Sequence, residues 1–305
     1  MPNLNLLKFF AVSTLLLLIL FSVNIFGQNA QVPKCDEEDY DKQIAEATKG
    51  IEFSVYNLQA YLKRGRAFFK KGEYDEAMKD FQRVTAINPM ESKAYYYRGS
   101  IYSDWANYDK AIEQFNTAIE LDSEDSDAFY LRGRSYYSKN EFDLALEDFK
   151  KAIVLNPNLI ESHYGQGATH AKSGNYKEAL KNWNKAIELI TNEIKLAPKS
   201  VCSYDNYMQR GIIYESSNNF RQALADYNKS IELIKDDFYT YYYRAQLYLH
   251  QDKYKFALDD LTKAITLNPH FAESYKERTM AYEKIGDKEK AEADRKKYEE
   301  LSKKQ

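Results

Sequence analysis

Charge of one sign is the first thing this chain lacks. Its 43 lysines and arginines stand against 46 aspartates and glutamates, interleaved along 305 residues rather than gathered in blocks. Nucleic-acid binding usually leaves a basic stripe, so that class of partner is disfavoured. Histidine is scarce, with four in all. His163 and His170 share a helical face, but no cysteine or carboxylate joins them at ligand spacing, so they are read as core residues rather than as a metal centre. Cysteine is scarcer still, with Cys35 and Cys202 alone. Gly165-Gln166-Gly167 begins like a phosphate-binding loop but follows no strand, and no nucleophile–base arrangement is legible. The chain therefore reads as a non-enzyme that needs no cofactor.

What it has in abundance is aromatic residues at a fixed step. From Gly65, a step of 34 lands on Gly99, Gly133 and Gly167. The same step carries Phe81 to Phe115, Phe149 and Trp183, and Ala77 to Ala111, Ala145 and Ala179. Self-similarity at a fixed period signals stacked repeats, which grow by addition rather than by enlarging one core. Tyr61, Gly65 and Phe68 are spaced by four and three, which keeps them on one face of a first helix. Gly72, Asn140, Gly174, Asn218 and Gly286 then suit a left-handed turn, and a second helix follows with Ala77 and Phe81 or their copies. Asn88-Pro89, Asn156-Pro157 and Asn268-Pro269 end second helices, because the residue before proline leaves the α region.

This small–aromatic–small–aromatic–Pro order resembles the tetratricopeptide repeat, a helix–turn–helix unit of the same length. The resemblance implies an all-α fold, a right-handed superhelical solenoid of about seven repeats. They run 58–91, 92–125, 126–159, 160–203, 204–237, 238–271 and 272–305. Residues 28–57 read as a linker with a degenerate half-repeat from Tyr40. Two repeats depart from the frame. Gly167 and Gly211 are 44 apart, and Ile187, Ile190, Ile194 and Ala197 predict a second helix longer by about two turns. That stripe is either covered by an early restart at Ser200 with Val201 and Tyr204, or open to a partner. In the last repeat Arg295 replaces the aromatic, and 287–304 reads as a polar capping helix.

Only one long apolar run exists, Phe9 to Phe26 after Lys8, with Gly27 at its end. It reads as a signal peptide over 1–27 that resembles bacterial envelope signals, or alternatively as an uncleaved anchor. Either reading places the repeats outside: periplasmic, in the cell envelope or secreted. Contact with a membrane would then come through that segment alone. Cys35 follows a poor lipobox, and some nine helices separate it from Cys202, so both are expected to be unpaired thiols.

In the family, the residue after the first packing aromatic faces the concave groove. Here these places hold Tyr96, Tyr130, Tyr164 and Tyr242, with Leu62, Met208 and Lys276 in the other repeats. Phe69, Tyr137, Arg66 and Arg134 are groove candidates by the same correspondence. The resemblance implies a scaffold that binds a protein or peptide segment along a tyrosine ladder. Two alternatives stand beside it: the tyrosines pack into the groove themselves, or the chain is an envelope glycan-binding protein or accessory subunit. The lysine and asparagine set by which chaperone-binding members clamp a carboxylate is not present.

Overall fold

The computed structural model describes residues 39–200 and 203–303. The apolar N-terminal run, Cys35, Val201 and Cys202 lie outside the described residues. Among the described residues every regular element is a helix, and none is long and apolar enough to cross a membrane.

Two compact units divide the chain between Leu189 and Ile190. The first holds α1 (Tyr40–Phe53), α2 (Leu58–Lys71), α3 (Tyr74–Ile87), α4 (Ser92–Asp104) and α5 (Tyr108–Leu121). It continues with α6 (Ser126–Ser138), α7 (Phe142–Leu155), α8 (Ile160–Lys172) and the first part of α9 (Tyr176–Leu196). The second unit follows α9 with α10 (Ser203–Ser216), α11 (Phe220–Leu233) and α12 (Phe238–His250). It ends with α13 (Tyr254–Leu267), α14 (Ala272–Ile285) and α15 (Lys288–Ser302).

The hairpin core follows the 34-residue frame. Phe81, Phe115 and Phe149 are 0% exposed, as are Ala77, Ala111 and Ala145 beside them. The first-helix glycines exist to admit these rings. A Cβ on Gly99 would stand 2.7 Å from one ring carbon of Phe115 and 2.8 Å from the next. The turns use a paired-bond C-cap. Glu73 N–H donates to the Phe68 carbonyl at 2.9 Å and Gly72 N–H to that of Phe69 at 3.0 Å, with Gly72 at φ +78°. Gly174, Gly286, Asn140 and Asn218 take the same left-handed backbone, as the sequence predicts. Asp252 does so at φ +56°, and Ala106 at φ +55° does so without a permissive residue. Asn107 and Ala106 N–H make the same two bonds, to Tyr102 and Ser103, so the turn geometry overrides the local cost.

The half-repeat from Tyr40 is a helix, α1, packed on α2 through buried Ala47. Helix α9 has 21 residues against 14 in α7, the extension its apolar stripe predicts. Ile190 and Ile194 are buried within it, whereas Leu196 is 87% exposed. The next helix begins at Ser203 rather than at Ser200. The Ser203 hydroxyl donates to the Ala197 carbonyl at 2.5 Å, which ties the helix start to the end of α9. Tyr204 is buried at that start. The capping helix α15 buries Ala291, Leu301 and, beyond the sequence expectation, Asp294.

Asp294 belongs to a set that the frame repeats. Arg64 meets Asp80, Arg132 meets Asp148, Arg210 meets Asp226, Arg244 meets Asp260 and Arg278 meets Asp294, each 16 residues apart and each bidentate. The third guanidinium nitrogen reaches back to the preceding hairpin, at Asn116, Asn228 or Thr262 for example. These arginines fasten first helix to second helix and hairpin to hairpin.

Candidate functional site

Within each unit the first helices touch one another: α2 with α4, α4 with α6, α6 with α8, and α10 with α12, α12 with α14. Among the described residues no two second helices make comparable contact. Elements that approach their own kind line the inside of a curved stack, so the first helices form the inner face of each unit. The candidate groove residues all lie on these helices.

Most of the predicted tyrosine ladder is packed. Tyr242 is 0% exposed, with ring centroids 5.0 Å from Phe271 and 5.6 Å from Tyr243. Tyr164 is 3% exposed and Tyr130 is 8% exposed, the latter 6.1 Å from Phe149. Tyr96 is half-buried, edge-on to Tyr97 at 5.1 Å. Burial drives the hydroxyl pKa of Tyr96, Tyr130 and Tyr242 well above the ordinary tyrosine range, with nearby carboxylates pushing the same way. Phe69 is buried between Tyr74 and Tyr97. Tyr137 is buried against Phe142, and its hydroxyl has no hydrogen-bond partner.

The two arginines differ. Arg66 is exposed and reaches the Tyr97 hydroxyl. Arg134 is buried, donates to Ser103 Oγ at 2.9 Å and faces Asp104 at 3.6 Å. Tyr74 hydrogen-bonds to the same carboxylate, yet burial outweighs both partners and raises the Asp104 pKa. The structure thus brings Phe69, Tyr74, Asp104 and Arg134 together on α2, α3, α4 and α6. Tyr242 sits in the other unit.

That second unit carries a polar group the sequence reading missed. Glu215, only 3% exposed, accepts the Tyr227 hydroxyl at 2.8 Å and lies 2.7 Å from His250 Nδ1. Gln246 donates to the Tyr242 hydroxyl at 3.0 Å and also bonds to Glu277. The signal was present as two coupled departures from the frame. Glu215 stands where Phe69, Tyr137 and Leu249 stand elsewhere, and Tyr227 stands where Phe81 and its copies do.

His163 Nε2 lies 2.9 Å from the Pro157 carbonyl and the ring is buried, which makes it a packed core histidine. Burial pulls the His170 pKa down. Among the described residues no group of three histidines, cysteines or carboxylates is placed to hold a metal.

An inner face built from first helices of repeated 34-residue hairpins defines a helical-repeat protein with an extended recognition surface. Tetratricopeptide repeat models match residues 92–125, 160–192, 204–237 and 238–271, and a TPR repeat model matches 65–104 and 133–174. Together they take in more than half of the sequence, and the chain belongs to the tetratricopeptide repeat family. Members of this family serve as protein-interaction scaffolds and are typically non-catalytic. Among solved structures, the APC/C hetero-tetramer Cut9–Hcn1 matches with a TM-score of 0.63 and 16% identity over 80% of this chain and 46% of that one. Yeast Tom70 matches with a TM-score of 0.56 and 18% identity over 86% and 55%. MamA is 27% identical over 52% of this chain and 92% of its own, with a TM-score of 0.47. The first two share the fold, and this chain spans about half the length of each. A comparison with curated protein sequences gives no match.

Proposed function

We propose that the protein is a non-catalytic scaffold that holds a protein or peptide segment on the inner face of its first helices, outside the membrane. The observation that carries this reading is the character of that face. In the first unit it combines an exposed arginine, Arg66, with two buried polar atoms left without hydrogen-bond partners, Tyr137 Oη and Asp104 Oδ2; in the second unit, taken by itself, Gln246 Oε1 is left the same way. A bound segment offers backbone donors and acceptors that can complete groups of this kind. Glycan stacking is the weaker reading, since it needs open ring faces and Tyr130, Tyr164 and Tyr242 are covered.

The test is a photo-crosslinking residue placed in the full chain at Arg66 or Lys276, on first helices, or at Lys181, on the outer side of α9. Crosslinks to one protein from the first two positions and none from Lys181 support the groove. Crosslinks from Lys181 alone would sink it. Export rests on residues 9–27 and is read from the mature N-terminus. A start beyond Gly27 fits a cleaved signal, and an intact Met1 in the membrane fraction fits an anchor. An intact chain in the soluble cytoplasmic fraction removes the export reading.

A further inference from the structure

On the inner face of the second unit, Gln246 and Glu277 form a polar pair with an acceptor to spare. Gln246 is only 6% exposed; its amide N–H donates to the Tyr242 hydroxyl, while its Oε1 has no hydrogen-bond partner. Glu277, on the next first helix, is in contact with the Gln246 amide and lies near Glu273, Lys276 and His250. Glu215 on the preceding first helix is committed to Tyr227 and His250. Glu277 therefore has Lys276 beside it and Glu273 against it, and the nearby His250 imidazole is already engaged by Glu215. Burial, and then Glu273, raise the Glu277 pKa, against the pull of Lys276, His250 and Gln246.

A buried amide oxygen without a donor and a carboxylate short of countercharge want the same thing: a cation that brings N–H groups. An anionic ligand would meet Glu273 and Glu277 directly, and an apolar one would leave the Gln246 oxygen unbonded. We infer that Gln246 Oε1 and the Glu277 carboxylate receive a lysine or arginine side chain of the partner segment. This rests on the scaffold reading above and specifies the partner's chemistry at one point of that face. Arginine is the better fit, because its planar fork can donate to an amide oxygen and a carboxylate together, where an ammonium is a compact point charge. Charge complementarity of this sort sets partner choice and register more than raw affinity.

The experiment uses the immobilised full chain in mild detergent and four pools of acetylated, amidated nonapeptides. Their flanks are randomised and the central residue is fixed as arginine, citrulline, leucine or glutamate. Citrulline keeps the shape of arginine and removes its charge. The arginine pool is expected to be retained about tenfold better than the citrulline and glutamate pools, the scale of one charge-assisted hydrogen bond. Glu277→Gln should remove that preference while its urea unfolding midpoint stays at or above the parent's; Gln246→Leu should remove it too, with a lower midpoint because the buried Tyr242 hydroxyl loses its donor. Lys181→Ser, at an exposed position on the outer side of α9, should leave it unchanged. Equal retention of arginine and citrulline pools, or a preference that survives in Glu277→Gln, overturns the cationic seat and leaves the scaffold reading standing. Retention of no pool by the folded parent overturns both.

Discussion

Arg132 lays its guanidinium across both oxygens of Asp148, with Nε 2.8 Å from Oδ2 and Nη2 2.7 Å from Oδ1. Its third nitrogen crosses to Asn116 of the preceding hairpin at 2.8 Å. The side chains are 19% and 5% exposed, so removing one partner strands a largely desolvated charge. Asp148→Ala should cost about 3 kcal/mol, the scale of breaking a buried pair. Replacing both residues, Arg132→Met with Asp148→Leu, should come close to neutral, because the desolvation penalty disappears with the attraction. Urea unfolding of the three variants tests this. The second hairpin offers the converse. There Gln114 stands where five hairpins hold aspartate, and both Arg98 Nε and Gln114 Oε1 are buried without partners. Gln114→Asp completes the pair and should stabilise by about 1 kcal/mol. If it destabilises, the arginine–aspartate set is not what fastens the hairpins.

Gly99 and Gly174 are required for different reasons, and their alanine variants should separate the two. A Cβ on Gly99 meets the Phe115 ring at 2.7–3.0 Å, so Gly99→Ala overpacks the hairpin and should cost about 1–3 kcal/mol despite the better helix propensity of alanine. A Cβ on Gly174 meets nothing, but the backbone there has φ +80°. Gly174→Ala should therefore cost about 1 kcal/mol from backbone conformation alone. Adding Phe115→Leu to Gly99→Ala should recover part of the loss by relieving the clash, whereas Phe115→Leu alone should destabilise. Thermal unfolding of this set distinguishes a steric from a conformational origin. A Gly99→Ala variant as stable as the parent would remove the close-approach account of the frame glycine.

These positions also mark what the sequence made legible. Gly65, Ala77 and Phe81 recur in phase because every hairpin solves the same packing problem, so periodicity alone gives the helices, the turns and the core. The arginine–aspartate pairs recur just as regularly, at a spacing of 16 in five hairpins, for example Arg244 and Asp260. Sequence alone hides them, because alternating charges are equally compatible with a solvated face and the spacing has meaning only once two antiparallel helices are placed side by side. The tyrosine ladder is legible in position but not in exposure. Tyr96 and Tyr242 occupy the same frame position, yet one is half-buried and the other fully covered by Phe271 and Tyr243. That difference depends on what the next hairpin presents, which a single-repeat frame does not encode. The contact of Glu215 with His250 spans 35 residues, one period plus one, and is visible only when neighbouring hairpins are stacked.

Glu277 gives a pH dependence whose sign is fixed by its surroundings. Its folded pKa is raised above the ordinary value of 4.5, chiefly by burial. A carboxyl raised in this way contributes stability that is fully present below its unfolded pKa and is lost as the pH rises through its folded pKa. Glu277→Gln removes that loss. The variant should be more stable than the parent at pH 7.5, and the advantage should shrink to nothing by about pH 4, where the parent carboxyl is protonated in both states. Urea midpoints of parent and variant at the two values measure it. A variant less stable than the parent at pH 7.5 would mean that Lys276, His250 and Gln246 more than compensate the burial. Greater stability combined with loss of the arginine preference would be the pattern of a site held at a cost to the fold.

Tyr227 and Glu215 supply the sharpest test of coupling inside one hairpin. Tyr227 is 0% exposed and fills the place that Phe81, Phe115 and Phe149 take elsewhere, so Tyr227→Phe looks like a return to the common residue. The buried Glu215 carboxylate, however, takes a hydrogen bond of 2.8 Å from that hydroxyl. Tyr227→Phe should therefore cost about 1–3 kcal/mol, the penalty for leaving a buried acceptor short of a donor. Glu215→Leu takes this acceptor from the tyrosine hydroxyl instead, while His250, 25% exposed, can turn to water. With both substitutions the site becomes apolar, like Phe69 and Phe81 in the first hairpin. The double variant should then be more stable than either single one, with a coupling of about 1–2 kcal/mol across the cycle. Four urea titrations decide the matter. If Tyr227→Phe proves neutral and the effects simply add, the tyrosine is there only to fill volume, and the glutamate is held by His250 alone.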